Sequence, residues 1–409
     1  MTKDHYELGE RPPLGELPAR MYASVIRPER YGPPENAFEM ELVDVPPVGR
    51  NQVLVWVMAA GINYNNVWSS LGYPVDVVAA RQKAGEKENF HVGGSEASGI
   101  VWAVGEGVTS VSVGDEVVVS SGVYDEGAED IRMGYDTTAS TTLKAWGYET
   151  NFGSFAQFAL AKDLQCHPRP VGLSWEESAC FLLTGPTAYR QLTGWTPNVV
   201  EPGDPVLIWG GAGGLGSMAI QIARHRGGIP VAVVSDDERG KRCLDLGAKG
   251  YINRKDFTHW GRLPDIRDTA AMAEWTKGAR AFGRKFWEVL GERRAPRLVL
   301  EHTGQDTIPT SMYLCDTAGM VVICGGTSGY NADVDLRYMW MRQKRLQGSH
   351  YASLRQVRQV IQLAADRVLD PCLSWTGELR DVGEAHQMLY ENRHPYGNMA
   401  VRVNSVGEP

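Results

Sequence analysis

A run of glycines in the middle of the chain has the spacing of a phosphate-binding turn. The apolar residues 205–209 come first, the glycines follow, and residues 217–223 have the apolar spacing of a helix. G-x-G-x-x-G lets the backbone turn tightly and direct free N–H groups and a helix dipole at a pyrophosphate. A generic glycine-rich turn is the alternative, but strand and helix on either side favour a dinucleotide site and a redox reaction. The predicted contacts are Gly210, Gly211, Gly213, Gly214, Leu215 and Gly216.

The residues after the second expected strand decide which dinucleotide binds. A carboxylate at the strand tip would accept a hydrogen bond from the ribose 2′-OH of NAD, whereas a small residue followed by cations accepts the 2′-phosphate of NADPH. Asp236 and Asp237 leave the first alternative open, and a solvated helix start would also explain the cations. The sequence favours NADPH, bound by Ser235, Arg239, Lys241 and Arg242.

Strands and helices alternate around this glycine turn. Short apolar strands are expected at 206–209, 231–234, 298–300 and 321–324, with helices between them. This order predicts a parallel doubly wound sheet with the glycine turn at its switch point. From about residue 23 to 161 the chain instead has short alternating strands, typical of a partly open barrel. Residues 398–403 are expected to rejoin that β half.

Two stretches exceed what such a fold needs. Residues 265–293 form a long insertion in which Trp275, Phe282 and Trp287 have the spacing of an aromatic helix face, for which core packing is the expected role. Residues 120–144 are rich in Gly, Asp, Thr and Ser. We interpret them as an exposed loop, either mobile or functional.

Composition excludes several classes of function. The chain has 409 residues, 43% hydrophobic and 22% charged, which indicates a soluble protein of two domains. Its net charge of −8 disfavours nucleic acid as a partner. No apolar stretch reaches the roughly 20 residues of a membrane span and the N-terminus lacks a signal peptide, so a cytoplasmic protein is expected. The six cysteines are scattered and fit a reducing compartment.

A local cluster of cations interrupts this acidic chain. Arg337, Arg342, Lys344 and Arg345 lie within residues 336–346. They would either meet an anionic ligand or form the solvated face of a helix.

A β half followed by a cofactor half resembles the medium-chain dehydrogenase/reductase superfamily, from about Ala23 to Val403. Its zinc alcohol dehydrogenases carry a Cys ligand where Asn63 stands and a His ligand where Ser95 stands, so no metal is expected here. The resemblance implies a GroES-like β-barrel catalytic domain, residues 1–193 and 348–409, and a Rossmann NADPH-binding domain, residues 194–347.

Four stretches are similar to the crotonyl-CoA carboxylase/reductase family: residues 63–68, 146–150, 247–257 and 338–350. The resemblance implies NADPH-dependent reduction of an α,β-unsaturated acyl-CoA, with carbon dioxide captured to give an alkylmalonyl-CoA. Hydride addition to the β carbon leaves an enolate, which needs hydrogen-bond donors and little water. Family members are tetramers, so a homo-oligomer is implied.

The residues that hold carbon dioxide in that family match Asn63 or Asn65, then Tyr148 and Glu149, and then Arg342. The last is a departure, because the family carries a His at the position we align with Arg342. A charged, forked Arg would either pair with Glu149 and bind a carboxylate, or fill the pocket and leave only a reductase.

Other interpretations stay open at this point. Asn63 and Asn65 would alternatively cap a helix that begins near Asn66, and Glu149 would be a surface carboxylate. His302 and His350 are expected to satisfy backbone groups. The whole chain would alternatively be an enoyl-thioester reductase without carboxylation, or a non-catalytic NADPH-binding protein. The length of the acyl chain is not predicted.

Overall fold

The computed structural model describes residues 3–405, so the ends of the predicted first domain, at 1–2 and 406–409, lie outside it. Within that range the strands are β1 (Arg20–Ile26), β2 (Phe38–Asp44), β3 (Gln52–Ile62), β4 (His91–Val92), β5 (Ala97–Val104), β6 (Glu116–Val119), β7 (Gly122–Val123), β8 (Lys144–Ala145), β9 (Phe158–Lys162), β10 (Cys166–Pro168), β11 (Pro205–Trp209), β12 (Ile229–Val234), β13 (Gly250–Asn253), β14 (Leu298–Glu301), β15 (Met320–Ile323), β16 (Arg345–Gly348), β17 (Leu373–Glu378) and β18 (Asn398–Arg402).

The α-helices of the same range are α1 (Pro34–Ala37), α2 (Asn65–Leu71), α3 (Val77–Lys83), α4 (Glu129–Arg132), α5 (Trp175–Ala179), α6 (Thr184–Thr193), α7 (Gly214–His225), α8 (Asp237–Asp245), α9 (Thr269–Leu290), α10 (Ile308–Leu314), α11 (Leu336–Arg342), α12 (Leu354–Ala365) and α13 (Val382–Tyr390). Short 3-10 turns lie at Pro28–Arg30, Thr137–Ala139, Asp163–Gln165, Arg254–Asp256 and Leu379–Asp381. In residues 3–405 no helix has the length and apolarity needed to cross a bilayer.

The chain forms two compact units. The β unit takes in the chain up to Leu183, then Ser353–Arg367 and the C-terminal stretch from Pro371. The nucleotide unit comprises Thr184–Ala352 and Val368–Asp370. These borders differ from the expected ones at 193 and 348. Helix α6 packs on α7 of the nucleotide unit, and Gln191 of α6 donates hydrogen bonds to backbone carbonyls of that unit, so α6 belongs there.

The β unit is built around one long strand. β3 lies between β5 and β18 in a sheet of order β10-β6-β5-β3-β18-β17, and β9 also pairs with β3. Successive side chains of a strand point to opposite faces. Accordingly Val53, Val55 and Val57 contribute to one apolar core, while Leu54 and Trp56 contribute to another. Burial of both faces fixes the register of β3, and with it the position of the residues that follow.

The nucleotide unit contains a six-stranded parallel sheet, as the alternating pattern predicts. Its order is β13-β12-β11-β14-β15-β16, so β12 and β13 are added on one side of β11 and β14 to β16 on the other side. A doubly wound sheet has its switch point at such a place, and ligands bind outside the carboxyl ends of the strands there. The glycine turn directly follows β11.

The predicted aromatic helix face is present in α9. Asp268 caps the helix by accepting a hydrogen bond from the Ala271 N–H, and Gly291 ends it with φ 87°. Phe282 is fully buried and stacks on Trp209 of β11, with ring centroids 5.7 Å apart. The insertion therefore completes the core of the nucleotide unit.

Replacing Phe282 by Ala should lower the free energy of unfolding by about 3–5 kcal/mol, because it removes a fully buried aromatic ring and leaves a cavity. Chemical denaturation monitored by circular dichroism measures the loss. Lys277→Ala on the exposed face of α9 is the control and should change stability by less than about 0.5 kcal/mol. An equal effect of the two substitutions would contradict a core role for this helix.

Candidate active site

The glycine turn forms a tight cradle at the start of α7. Gly210 has φ 59°. A Cβ on Gly216 would lie 2.3 Å from the Gly210 carbonyl oxygen, and one on Gly211 would lie 2.6 Å from the Ala232 Cβ. Gly213 is the N-cap of α7 and offers no capping side chain. Backbone alone thus faces the position where G-x-G-x-x-G turns hold a pyrophosphate.

The residues expected to meet the 2′-phosphate lie at the strand tip after β12 and in the first turns of α8. Asp236 caps α8 by accepting a hydrogen bond from the Arg239 N–H at 2.9 Å, and the Ser235 hydroxyl donates to the same carboxylate at 3.0 Å. The hydrogen bond from the Arg239 N–H is the main cause that lowers the pKa of Asp236. This carboxylate is engaged by the helix and also pairs with Arg239 at 3.5 Å. Lys241 and Arg242 are exposed at the start of α8, beside the exposed carboxylates of Asp237 and Glu238.

His302 has the structural role expected of it. Its partly buried side chain lies against the turn, and a Cβ on Gly210 would lie 2.4 Å from its Nε2. Desolvation lowers the pKa of His302, although a hydrogen bond with the Trp209 backbone acts in the other direction.

In the β unit, residues 63–66 lie beside residues 94–96 at the end of β3. The last paired residues of β3 and β5 are Ala60 and Ala97, so the residues after β3 lie beside those before β5. Three side-chain hydrogen bonds join them: Asn63 Nδ2 to Glu96 Oε1 at 2.5 Å, Asn65 Nδ2 to Ser95 Oγ at 2.6 Å, and the Gly94 N–H to Asn66 Oδ1 at 3.3 Å. We call this set the amide cluster.

The side chains of Asn63 and Asn65 form the hydrogen bonds of the amide cluster and do not cap α2. The N-cap of α2 is Tyr64, and its side chain makes no capping bond. Asn63 is only 5% exposed and Asn65 is partly buried. Among the described residues no group of three or more His, Cys, Asp and Glu side chains could hold a metal ion. At the positions of the zinc ligands, the chain therefore has an amide and a hydroxyl joined to their neighbours by hydrogen bonds.

The turn at residues 146–150 packs against the segment before β5. Gly147 has φ 64°, and a Cβ there would lie 1.9 Å from the Gly94 carbonyl oxygen. Glu149 is held in its own turn, because its carboxylate accepts the Ala145 N–H at 2.7 Å. Tyr148 and Glu149 are both partly buried. The β unit thus brings Asn63, Asn65, Tyr148 and Glu149 onto adjoining segments.

Arg342 lies in the other unit, at the end of α11, where its side chain is exposed. The cationic stretch around it is divided: Arg337 is exposed like Arg342, as expected of a solvated helix face, whereas Lys344 and Arg345 have structural roles. Lys344 is buried and donates to the carbonyls of Met312 and Tyr313. Arg345 likewise donates to the carbonyls of residues 195 and 196. His350 is exposed.

The polar segment 120–144 is folded as well as exposed. Its ends pair as β7 and β8, and Asp130 organises its middle. The Asp130 carboxylate accepts hydrogen bonds from the Thr141 N–H at 2.8 Å and the Ser140 hydroxyl at 3.1 Å. Met133 and Tyr135 project from it, 68% and 62% exposed.

Sequence reasoning missed Glu96. It is fully buried, and its second oxygen accepts the Leu183 N–H at 2.8 Å. Burial raises the pKa of Glu96 to about 7, although bonds from Asn63 and the backbone act in the other direction. The available signal was a carboxylate within an otherwise small and apolar segment, Gly93–Gly99.

Both units of the chain match known protein families. Residues 49–171 match the alcohol dehydrogenase GroES-like domain and residues 214–366 match the zinc-binding dehydrogenase domain. A crotonyl-CoA carboxylase/reductase from Cereibacter sphaeroides is 47% identical over 98% of this chain and 92% of its own length.

Solved structures give the same result. The crotonyl-CoA carboxylase/reductase AntE in complex with NADP is 64% identical, with a TM-score of 0.96 over 99% of this chain and 100% of its own. The 2-octenoyl-CoA carboxylase reductase CinF, in complex with NADP and 2-octenoyl-CoA, is 33% identical, with a TM-score of 0.87 over 96% of this chain and 90% of its own. The chain belongs to the crotonyl-CoA carboxylase/reductase family.

Proposed function

We propose that this protein catalyses the NADPH-dependent reductive carboxylation of an α,β-unsaturated acyl-CoA to an alkylmalonyl-CoA. The observation that carries the proposal is the amide cluster beside Tyr148 and Glu149. It supplies hydrogen-bond donors in a largely buried site at positions that bind a metal in zinc alcohol dehydrogenases.

The nucleotide unit fits NADPH. The glycine cradle would hold the pyrophosphate, and Ser235, Arg239, Lys241 and Arg242 would meet the 2′-phosphate. When bound, NADPH supplies the hydride that the β carbon of the substrate receives.

The β unit would then control what becomes of the substrate enolate. Negative charge spreads over the α carbon and the thioester oxygen, and amide donors stabilise it without supplying an acidic proton. Attack of the α carbon on carbon dioxide forms the new carbon–carbon bond and leaves a carboxylate. Protonation of the same carbon would give only the saturated acyl-CoA.

Four residues of the β unit are proposed to hold carbon dioxide. Its oxygens carry partial negative charge, so the amides of Asn63 and Asn65 can donate to them. Tyr148 and Glu149 would wall the pocket. Arg342 is proposed on the sequence match, with less support, because its side chain is exposed within its unit.

A homo-oligomer, tetrameric as in the family, is also proposed. Its support is apolar surface on the nucleotide unit, where Trp340 and Met341 of α11 are 64% and 70% exposed. The cytoplasmic location stays a prediction.

The direct test of the activity is incubation with NADPH, crotonyl-CoA and labelled bicarbonate. We expect acid-stable label in a malonyl-CoA derivative, in proportion to the NADPH oxidised. A saturated acyl-CoA as the sole product would establish a reductase without carboxylation, and NADPH binding without turnover would establish a non-catalytic protein.

Arg239→Ala should raise the KM for NADPH about tenfold, the effect of losing roughly 1.4 kcal/mol of binding to the 2′-phosphate. The KM for NADH should change little, since NADH lacks that phosphate. Steady-state kinetics with both cofactors measure the difference. Lys249→Ala, an exposed cation before β13, serves as control, and an equal rise for NADPH and NADH would contradict the assignment.

Glu149→Ala should lower the carboxylated fraction of product at least about tenfold, because the turn beside the amide cluster loses its bond to the Ala145 N–H. Arg342→Ala should lower it less than about twofold, given the exposure of that side chain. Chromatographic separation of the two CoA products measures the ratio. A larger effect at Arg342 than at Glu149 would place Arg342 in the pocket and overturn this ranking.

A further inference from the structure

Glu96 and Asn63 form a buried pair, and the mechanism above gives a role only to Asn63. The Glu96 side chain is 1% exposed and that of Asn63 is 5% exposed. One carboxylate oxygen accepts the Asn63 amide and the other accepts the Leu183 N–H, so the carboxylate cannot rotate without losing a bond.

The backbone around the pair leaves no spare room. A Cβ on Gly61 would lie 2.5 Å from Glu96 Oε1 and 2.5 Å from the Ala179 carbonyl oxygen. Glycine at position 61 therefore makes the space that the carboxylate occupies. The Asn63 carbonyl is also engaged, because it accepts the Asn66 N–H at 3.2 Å.

The chemistry of the pair selects one orientation of the amide. An ionised carboxylate only accepts hydrogen bonds, so it holds the amide nitrogen of Asn63 and turns the amide oxygen away. A neutral acid or a carboxamide both donates and accepts, and would tolerate either end of the Asn63 amide.

We propose that Glu96 is a positioning residue that fixes the orientation of the Asn63 amide, and thereby the division of the enolate between carbon dioxide and a proton. This inference rests on the proposed function, in which Asn63 donates to carbon dioxide. Glu96 itself touches neither substrate nor cofactor in this account.

A double-mutant cycle tests whether Glu96 acts through Asn63. The variants are Glu96→Gln, Asn63→Ala and the double variant, and the readout is the ratio of carboxylated to saturated product. Glu96→Gln should lower the ratio about tenfold, while NADPH oxidation falls less than about threefold. The double variant should match Asn63→Ala. Additive effects on the logarithm of the ratio would overturn the proposal.

Glu301→Gln is the matched control for neutralising a buried carboxylate. Glu301 is fully buried in the nucleotide unit, burial raises its pKa to about 7, and Ser311 and Thr307 donate hydrogen bonds to it. This substitution should leave the product ratio unchanged. A fall equal to that of Glu96→Gln would attribute the effect to general loosening and contradict a positioning role.

The pH profile gives a second readout that does not depend on a foldable variant. Ionised Glu96 orients the amide, so the wild-type ratio, measured at constant dissolved carbon dioxide, should fall as the pH drops below about 7. Burial lowers the pKa of His386, beside Asn63, to about 4. Other charged groups of neighbouring elements are paired elsewhere: Glu176 with Arg402, Glu177 with the Ser174 N–H, and Glu116 with Arg169. A flat profile would contradict the proposal.

Failure of the proposed function is distinguishable from failure of this inference. If the wild type incorporates no label, the carboxylation proposal fails. The same cycle, applied to kcat/KM for NADPH oxidation, then decides whether Glu96 acts through Asn63, because non-additive losses support coupling and additive losses refute it.

Discussion

The three hydrogen bonds of the amide cluster are the constraint on which the site depends. They connect the turn after β3 to the segment before β5. The register of these strands brings the two segments together, and burial of both faces of β3 fixes that register. In zinc dehydrogenases two of these positions carry metal ligands. Here amide and hydroxyl groups hold the segments, and in the proposed function the same amides donate to the enolate and to carbon dioxide.

In both units, glycines allow two backbone segments to pack in direct contact beside the site. In the β unit, Gly147 and Gly94 lie in direct contact, so the turn that carries Tyr148 and Glu149 lies against the amide cluster. In the nucleotide unit, Gly216 lies on Gly210 and forms the phosphate cradle. In each case a side chain would prevent the approach. The polar groups of the site are thus placed by positions that have no side chain.

Much of the fold could be predicted from the sequence, because apolar periodicity and glycine spacing are local signals. The parallel sheet, its glycine turn and the aromatic face of α9 follow from such patterns. Long-range contacts could not be predicted. From the sequence Lys344 is expected to be a surface cation, yet it donates hydrogen bonds to backbone carbonyls more than 30 residues away along the chain. Glu96 meets Asn63 only because two strands pair, and α6 joins the nucleotide unit through its packing on α7.

In the proposed site the Asn63 amide, oriented by the buried Glu96 carboxylate, faces the reacting carbon of the substrate. A crystal structure of the protein with NADP and a bound enoyl-CoA would show whether it does. We expect the Asn63 Nδ2–Glu96 Oε1 bond to persist and the Asn63 amide to lie within about 4 Å of the substrate α carbon or thioester oxygen, within reach of a donor. An Asn63 amide turned away from the thioester, or a Glu96 carboxylate that has left Asn63, would contradict it.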